Sequence, residues 1–289
     1  ISRIHKYIKR GEFDLAIAFL TPSQLRLVPA CWNTKTKVLV SQRADPFVKR
    51  KSIKGKIIGK INDLVFCGAN FFVFQTETAR SYYPARVRSS SCVIPNPVKP
   101  LMRTIERNSQ TIEKRIVSVA RLELKQKRQD LIIDAFNRLS IEYPDYQLEF
   151  YGTGEDLEKI SRLAEGNECI KICGLTRDVA GVLQNATMFV LASDYEGIPN
   201  ALMEAMSIGV PCVSTNCSPG GAALLIDNSV NGLLVQRNNS EKLYDAMKYL
   251  IEHPECAERM ALKAKLICES FSEREIANKW ICFISNVIK

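Results

Sequence analysis

The chain contains few of the residues on which metal sites and membrane anchors depend. It has two histidines, His5 and His253, and neither lies in a motif. No two aspartates have Asp-x-Asp spacing, and no apolar run reaches the ~20 residues that a membrane-spanning helix needs. The ten cysteines show no C-x-x-C spacing. These absences argue against a histidine or cysteine metal centre and against a transmembrane segment.

Several cysteines fall within apolar, strand-like segments. Cys169 and Cys173 flank Ile170–Ile172, and Cys212 precedes Val213. Cysteine in such a run behaves as a small hydrophobic residue, whereas disulfide frameworks are typical of secreted proteins. We therefore predict buried, reduced thiols in a cytoplasmic protein. The alternative is a metal site or a disulfide framework.

Positive charge is concentrated in the first part of the chain. Residues 1–115 hold 22 lysines and arginines against 7 acidic residues, whereas residues 116–289 hold 18 against 24. The densest basic run, Lys49–Lys60, carries isoleucines at helical spacing. It predicts either a helix that lies on anionic lipid at the inner face of the plasma membrane or a solvated helix face. No zinc-finger, aromatic RNA-binding or helix-turn-helix pattern accompanies the charge, so we predict no nucleic-acid partner.

Strand-like and helix-like segments alternate along the chain, which indicates an α/β fold with parallel sheets. One segment, Val93–Pro100, contains three prolines in six positions and should form an extended linker. We therefore predict a first domain over residues 1–97 and a second over residues 98–270. Residues 271–289 should form a helix that either crosses back to the first domain or packs on the second.

The second part has the pattern of six βα repeats. Its predicted strands are Arg115–Ala120, Gln147–Tyr151, Ile170–Cys173, Ala186–Ala192, Pro211–Thr215 and Gly232–Val235. Such repeats form a doubly wound sheet, whose ligand lies beyond the carboxyl ends of the strands. The segment Ser193–Glu204 follows the fourth strand and is therefore the first candidate site.

This segment combines a helix start with two carboxylates. Pro199 suits the first helical position, and the N–H groups that follow it point out of the helix start at the positive end of the helix dipole. Such a helix start is suited to a diphosphate. Glu196 lies in the preceding turn and Glu204 about one turn into the helix, and carboxylates accept hydrogen bonds from sugar hydroxyls. The alternative is an ordinary βα turn with two solvated carboxylates.

The segment resembles the E-x7-E element of retaining family-4 glycosyltransferases, which have the GT-B fold. The resemblance implies two doubly wound, Rossmann-like domains that face a cleft. It also implies that Glu196 is catalytic and contacts the donor sugar, whereas Glu204 binds the ribose of the sugar nucleotide. The remaining donor-binding residues of the segment would be Gly197, Asn200, Ala201 and Leu202.

Two cations match a second element of the same family. Arg121 and Lys127 lie six positions apart in a strand–turn–helix segment. The resemblance implies that both are catalytic, because they bind the diphosphate and neutralise the charge that grows as the glycosidic bond breaks. Arginine would supply a fixed fork and lysine a point charge. Lys125 is an alternative to Lys127.

Two glycine-containing loops resemble further parts of the donor site. Gly174 and Thr176 follow the third strand, where the family holds the nucleobase through backbone contacts. A glycine turn with a threonine N-cap is the alternative. Ser218–Ala222 resembles a loop after the fifth strand, and its glycines either allow a close backbone approach to the donor or form a tight turn.

The first domain resembles the family less closely. Family members carry further βα units before a strand like Asp14–Ala18, so we expect a first domain that is either incomplete at its start or shorter and divergent. The loop Ser41–Pro46 corresponds to a loop that faces the acceptor in related enzymes. Arg43 is the one residue of this loop for which the resemblance implies a role towards the acceptor.

The resemblance implies a reaction. A hexose or N-acetylhexosamine would move from a nucleotide-diphosphate sugar, such as a UDP-sugar, to the hydroxyl of a polysaccharide or lipid-linked acceptor, with retention, in bacterial polysaccharide or glycolipid synthesis. No metal or other cofactor is implied, because cations and a helix dipole can balance the diphosphate. The alternatives are another GT-B enzyme, such as a sugar-nucleotide 2-epimerase, and a non-catalytic remnant that binds nucleotide or membrane.

Overall fold

The structure is a computed structural model that describes residues 1–47, 53–105, 107 and 111–289. It divides into two compact units. The first unit comprises Ile1–Asn96 together with Ile276–Lys289, and the second comprises Pro97–Glu275. No helix in these described ranges is both long and apolar enough to cross a bilayer.

The first unit is built on a four-stranded parallel sheet. Its strands, in sheet order, are β1 (Leu15–Phe19), β2 (Lys37–Ser41), β3 (Phe71–Phe74) and β4 (Ser91–Val93). The helices between and before them are α1 (Ser2–Arg10), α2 (Thr21–Ala30), α3 (Ile53–Cys67), α4 (Glu77–Ser81) and α5 (Ala85–Ser89). Strand β3 consists of aromatic residues and a valine, and β2 carries the apolar run Val38–Val40, which suits central strands buried on both faces. Strand β4 was not predicted, because three residues are too few to show a pattern.

The second unit is built on a six-stranded parallel sheet in the order β10-β9-β8-β5-β6-β7. Its strands are β5 (Glu113–Val119), β6 (Gln147–Tyr151), β7 (Ile170–Gly174), β8 (Ala186–Leu191), β9 (Cys212–Thr215) and β10 (Leu233–Val235). Its helices are α6 (Pro100–Arg103), α7 (Leu124–Lys127), α8 (Gln129–Glu142), α9 (Leu157–Ala164), α10 (Val179–Gln184), α11 (Asn200–Ile208), α12 (Gly221–Leu225), α13 (Ser240–Glu252), α14 (Pro254–Ala264) and α15 (Ile267–Ser270). Pro100, which we assigned to an extended linker, begins α6, a position that proline tolerates.

Side chains of the second sheet alternate between two apolar cores. Ile116 of β5 packs into one core and Val117 into the other, and Met188 and Phe189 of β8 divide in the same way. A parallel strand that is covered by helices on both faces needs a nearly continuous run of apolar residues. The predicted α/β class with two parallel sheets is therefore confirmed.

The last helix, α16 (Glu273–Ile288), places an apolar face on the first sheet. Ile276, Trp280 and Phe283 belong to a cluster with Leu39 of β2 and Val73 of β3. Positions three and four apart lie on one side of a helix, which explains why these three side chains act together. The Lys37 amino group also donates to the Val287 carbonyl oxygen at 2.7 Å.

We expect two glycine substitutions to separate backbone strain from steric conflict. Gly166 has a φ of +89° with open space at its Cβ position, whereas Gly152 has a φ of +146° and a Cβ there would lie 1.9 Å from the Ala120 carbonyl oxygen. Gly166→Ala should lower the free energy of unfolding by about 1–2 kcal/mol, the cost of left-handed backbone. Gly152→Ala should cost more, about 2–4 kcal/mol, because the end of β5 must move. Urea unfolding followed by circular dichroism measures both, and equal losses would contradict the clash.

Candidate active site

The order of the second sheet reverses between β5 and β8, which are neighbours although β6 and β7 lie between them in sequence. Strands β5 and β8 therefore end side by side, and the segments that follow them meet. In a doubly wound sheet this switch point is where ligands bind. The residues concerned follow β5 up to Lys127 and follow β8 up to the start of α11.

Glu196 is held by two groups at this switch point. Its Oε1 atom forms an ion pair with the Lys127 amino group and accepts a hydrogen bond from Ser193 Oγ at 2.9 Å. The Glu196 backbone N–H donates to the Ser218 carbonyl oxygen at 2.7 Å. The side chain of Lys127 is only 13% exposed and that of Glu196 only 11%. The carboxylate therefore has a fixed orientation, and Lys127, not the exposed Lys125, is the cation beside it.

Arg121 lies at the outer side of the same segment. Its guanidinium group contacts Glu123 Oε2 at 3.0 Å and donates to Gln126 Oε1 at 2.8 Å, and its side chain is 66% exposed. Gln126 in turn donates to the Tyr195 carbonyl oxygen at 2.9 Å. Arg121 is thus linked to the turn before Glu196 through Gln126, whereas Lys127 contacts Glu196 directly.

Helix α11 begins one residue later than predicted. Pro199 precedes the helix, because its carbonyl oxygen accepts the first helical hydrogen bond, from Met203 N at 3.1 Å. The first-turn residues Asn200, Ala201 and Leu202 change from exposed through half-buried to buried. Backbone N–H groups in a first turn have no partner within their own helix and point outward from its start. The predicted helix start is therefore present, one residue later than expected, and a ligand at this helix start stays a prediction.

Glu204 has a cationic partner that the sequence did not reveal. Lys99, which directly precedes α6, places its amino group 2.7 Å from Glu204 Oε1, and the side chains are 65% and 8% exposed, respectively. The two residues lie 105 positions apart, so no local pattern connects them. Ser193 and Gln126 were also missed, although both lie inside segments that the motifs delimit.

The glycine loop after β9 supports the turn that carries Glu196. A Cβ on Gly221 would lie 2.0 Å from the Gly197 carbonyl oxygen. Ser218 also donates its backbone N–H to the Asp194 carbonyl oxygen at 3.1 Å. The close approach that Gly221 permits is therefore to Gly197 of the same protein. That contact explains the glycine without a ligand.

The loop predicted to hold the nucleobase lies farther along the same edge. Gly174 ends β7 with a φ of +74°, and β7 is two strands from β5, about 10 Å away. The Thr176 hydroxyl accepts from the Asp178 backbone N–H at 3.1 Å. Asp178, not Thr176, is the N-cap of α10, because its carboxylate accepts from Gly181 N at 2.8 Å. The alternative that Thr176 is the N-cap of the following helix is thus wrong.

The part of the chain that holds this site is similar to a known family. Residues 113–253 match the family described as Glycosyl transferases group 1. The chain is 27% identical over 78% of its length to an uncharacterized glycosyltransferase of Haemophilus influenzae, and 24% identical over 77% of its length to one of Methanocaldococcus jannaschii. It spans 63% and 60%, respectively, of the length of these relatives.

Solved structures agree on the fold. Anabaena HepE in complex with UDP-glucose has a TM-score of 0.84 at 18% identity, over 98% of this chain and 82% of that one. S. aureus TarM has a TM-score of 0.80 at 21% identity, over 99% of this chain and 57% of that one. The fold is that of the GT-B glycosyltransferases. The range 113–253, which matches the description Glycosyl transferases group 1, includes every predicted donor-site residue.

We expect Lys99 and Glu204 to be coupled energetically. Lys99→Met leaves the buried carboxylate without its cation and should lower the free energy of unfolding by about 1–3 kcal/mol, the cost of an unsatisfied buried group. Glu204→Gln should reduce that loss when it is combined with Lys99→Met, because no buried charge remains. A double-mutant cycle measured by urea unfolding tests this expectation. Additive effects of the two substitutions would show that the pair is not coupled.

Proposed function

We propose that the protein transfers a hexose or N-acetylhexosamine from a UDP-sugar to an acceptor hydroxyl, with retention, in bacterial polysaccharide or glycolipid synthesis. The observation that carries this proposal is the grouping of Lys127, Ser193 and Glu196 beside the start of α11 at the switch point of the second sheet. A cation, a fixed carboxylate and a helix start suit the diphosphate and the sugar of one ligand.

Each charged group has a role in this proposal. The first-turn N–H groups of α11, with Lys127 and Arg121, bind the diphosphate. Glu196 accepts hydrogen bonds from sugar hydroxyls, and Glu204 accepts them from the ribose. The loop at Gly174 and Thr176 receives the base through its backbone. No metal is needed, because these cations and the helix dipole offset the phosphate charge.

The chemical step follows from where charge develops. As the bond between the sugar and the diphosphate breaks, negative charge accumulates on the leaving phosphate, where Lys127 and the helix start stabilise it. The acceptor hydroxyl attacks the same face of the sugar that the phosphate leaves, and the phosphate takes the hydroxyl proton. Glu196 orients the sugar and does not attack it.

Named relatives support the donor and the acceptor class. HepE was solved with UDP-glucose, and the pneumococcal O-GlcNAc transferase GtfA with UDP and GlcNAc. A relative from Bacillus subtilis, 27% identical over 54% of this chain, is a poly(glycerol-phosphate) alpha-glucosyltransferase. A relative from Campylobacter jejuni, 27% identical over 57% of this chain, acts on a diphospho-undecaprenol acceptor. A UDP-sugar donor and a polymeric or lipid-linked acceptor are therefore the substrates that we propose.

Surface chemistry supports a membrane location. On α3, Ile57, Ile61 and Leu64 share one face and are 55%, 54% and 75% exposed, and Lys54 and Lys60 are exposed on the same helix. An amphipathic helix with apolar and basic side chains binds anionic lipid surfaces. We propose that α3 lies on the cytoplasmic face of the membrane. The first four residues of the basic run Lys49–Lys60 lie outside the described residues.

We expect two glutamine substitutions to separate the roles of the glutamates. Glu196→Gln keeps the shape but adds donors where the sugar hydroxyls need an acceptor, so it should weaken UDP-sugar binding and leave UDP binding nearly unchanged. Glu204→Gln should weaken both ligands by about 1–3 kcal/mol, because both carry the ribose. Calorimetric titration with UDP, UDP-glucose and UDP-N-acetylglucosamine measures this difference.

The exposed Glu158 on α9 provides a matched control, and Glu158→Gln should change neither affinity. Equal loss of UDP binding in both variants would refute the assigned roles. If the unsubstituted chain binds none of the three ligands, the proposed function itself is wrong. Release of UDP that does not depend on an acceptor would favour an epimerase or a hydrolase.

We expect membrane binding to depend on the apolar face of α3. Leu64→Glu should reduce sedimentation with vesicles of anionic phospholipid, because it places a negative charge on the face that meets the lipid. Ile141→Glu is the matched control, since Ile141 is 81% exposed on α8 of the second unit. Binding of the unsubstituted chain should fall as salt rises. Equal binding to neutral and anionic vesicles would contradict the proposal.

A further inference from the structure

Three strands of the first sheet, β2, β3 and β4, bring polar groups together at their carboxyl ends. Arg43, just after β2, donates from Nε to Ser41 Oγ at 2.8 Å and from Nη1 to Asn96 Oδ1 at 2.6 Å. Asn96 follows β4, and the amide of Gln75, which follows β3, lies 3.3 Å from Nη1. The carboxyl edge of a parallel sheet is where ligands of α/β proteins bind. Arg43 occupies that edge in the first unit.

Two aromatic rings complete the surroundings of Arg43. Its guanidinium carbon lies 5.4 Å from the centre of the Phe19 ring and 5.9 Å from that of Trp280. The two rings are 5.7 Å apart, and Phe19, at the end of β1, is 47% exposed. Ring faces attract the cation and also offer an apolar surface that reaches solvent.

The charge of Arg43 has no acidic partner among the described residues. The structure describes four other half-buried arginines, and each of them pairs with a carboxylate: Arg80 with Glu77, Arg107 with Glu258, Arg115 with Glu113 and Arg128 with Asp130. The neighbouring Asp45 accepts from the Phe47 backbone N–H instead. Burial lowers the pKa of Arg43 to about 10. A half-buried cation that meets only neutral acceptors and rings is incompletely compensated.

We propose that Arg43 is the anchor of an oxyanion subsite at the carboxyl edge of the first sheet. The subsite takes a phosphate or carboxylate group, because the guanidinium fork matches the paired oxygens of both. The carbon skeleton next to that group packs against Phe19 and Trp280. Assigning the anion to the acceptor rests on the proposed function, whereas anion binding by Arg43 does not. An acceptor of this kind is a glycerol-phosphate or a uronic-acid unit.

Trp280 lies close enough to Arg43 to report on binding. The chain has two tryptophans, so Trp32→Phe leaves Trp280 as the sole tryptophan emitter. In this background, glycerol 3-phosphate, inorganic phosphate and glucuronate are titrated at constant ionic strength, with glycerol as the uncharged control. We expect a saturable change in emission with at least one of the anions and none with glycerol. The anion that binds more tightly identifies the group as phosphate or carboxylate.

Two substitutions test the role of Arg43: one replaces the arginine itself, and the other changes its neighbour Asn96. Arg43→Met should weaken the anion response at least tenfold, whereas Arg26→Met, at an exposed arginine of α2, should leave it unchanged. Asn96→Asp keeps Arg43 but supplies a carboxylate at the position of Oδ1. It should abolish anion binding and raise the melting temperature, so it remains informative if Arg43→Met fails to fold.

The outcomes separate this proposal from the proposed function. No saturable anion response, or an unchanged response in Arg43→Met and Asn96→Asp, overturns the subsite. Thermal stabilisation by UDP should be equal in all these variants, because the donor residues belong to the second unit. If Arg43→Met also loses UDP binding, the assignment of the bound anion to the acceptor is wrong. If the unsubstituted chain does not bind UDP, the proposed function is wrong. The anion subsite is then still tested by the anion titration.

Discussion

All strands of a parallel sheet end at the same edge, and this constraint brings together residues that are far apart in sequence. In the second sheet, the placement of β5 beside β8 joins the segment ending at Lys127 to the segment containing Glu196. In the first sheet, the same constraint joins Arg43 after β2 to Asn96 after β4. In each unit the polar groups of the candidate site thus lie at one edge of the sheet, while apolar strand residues hold that edge in place.

The sequence was sufficient where the signal is local. Apolar runs indicated most strands to within one or two residues, because strands buried on both faces of a parallel sheet need such runs. The turn and helix that carry Glu196 and Glu204 could likewise be predicted, since all their determinants lie within one segment. The start of α11 was misplaced by one residue, because a proline fits both the position before a helix and its first position.

Contacts between distant segments could not be predicted in this way. The ion pair of Lys99 with Glu204 joins a residue just before α6 to one on α11, and neither residue type indicates its partner. The apolar stripe of α16 showed that the helix packs against something, but not which sheet provides the surface. Gly221 was identified as a residue that permits close approach, yet only the structure shows that Gly197 is the group approached.

The candidate donor site is electrostatically satisfied by its own residues. Glu196 is paired with Lys127, Glu204 with Lys99, and Arg121 with Glu123. A ligand must therefore exchange contacts, and its affinity is the difference between those lost and those gained. Phosphate oxygens replace the partner of a cation, and hydroxyl groups replace the partner of a carboxylate. A sugar nucleotide carries both kinds of group in one molecule. It can compensate both halves of an ion pair that it opens, whereas inorganic diphosphate has no hydroxyl groups to replace the lysine that a carboxylate has lost.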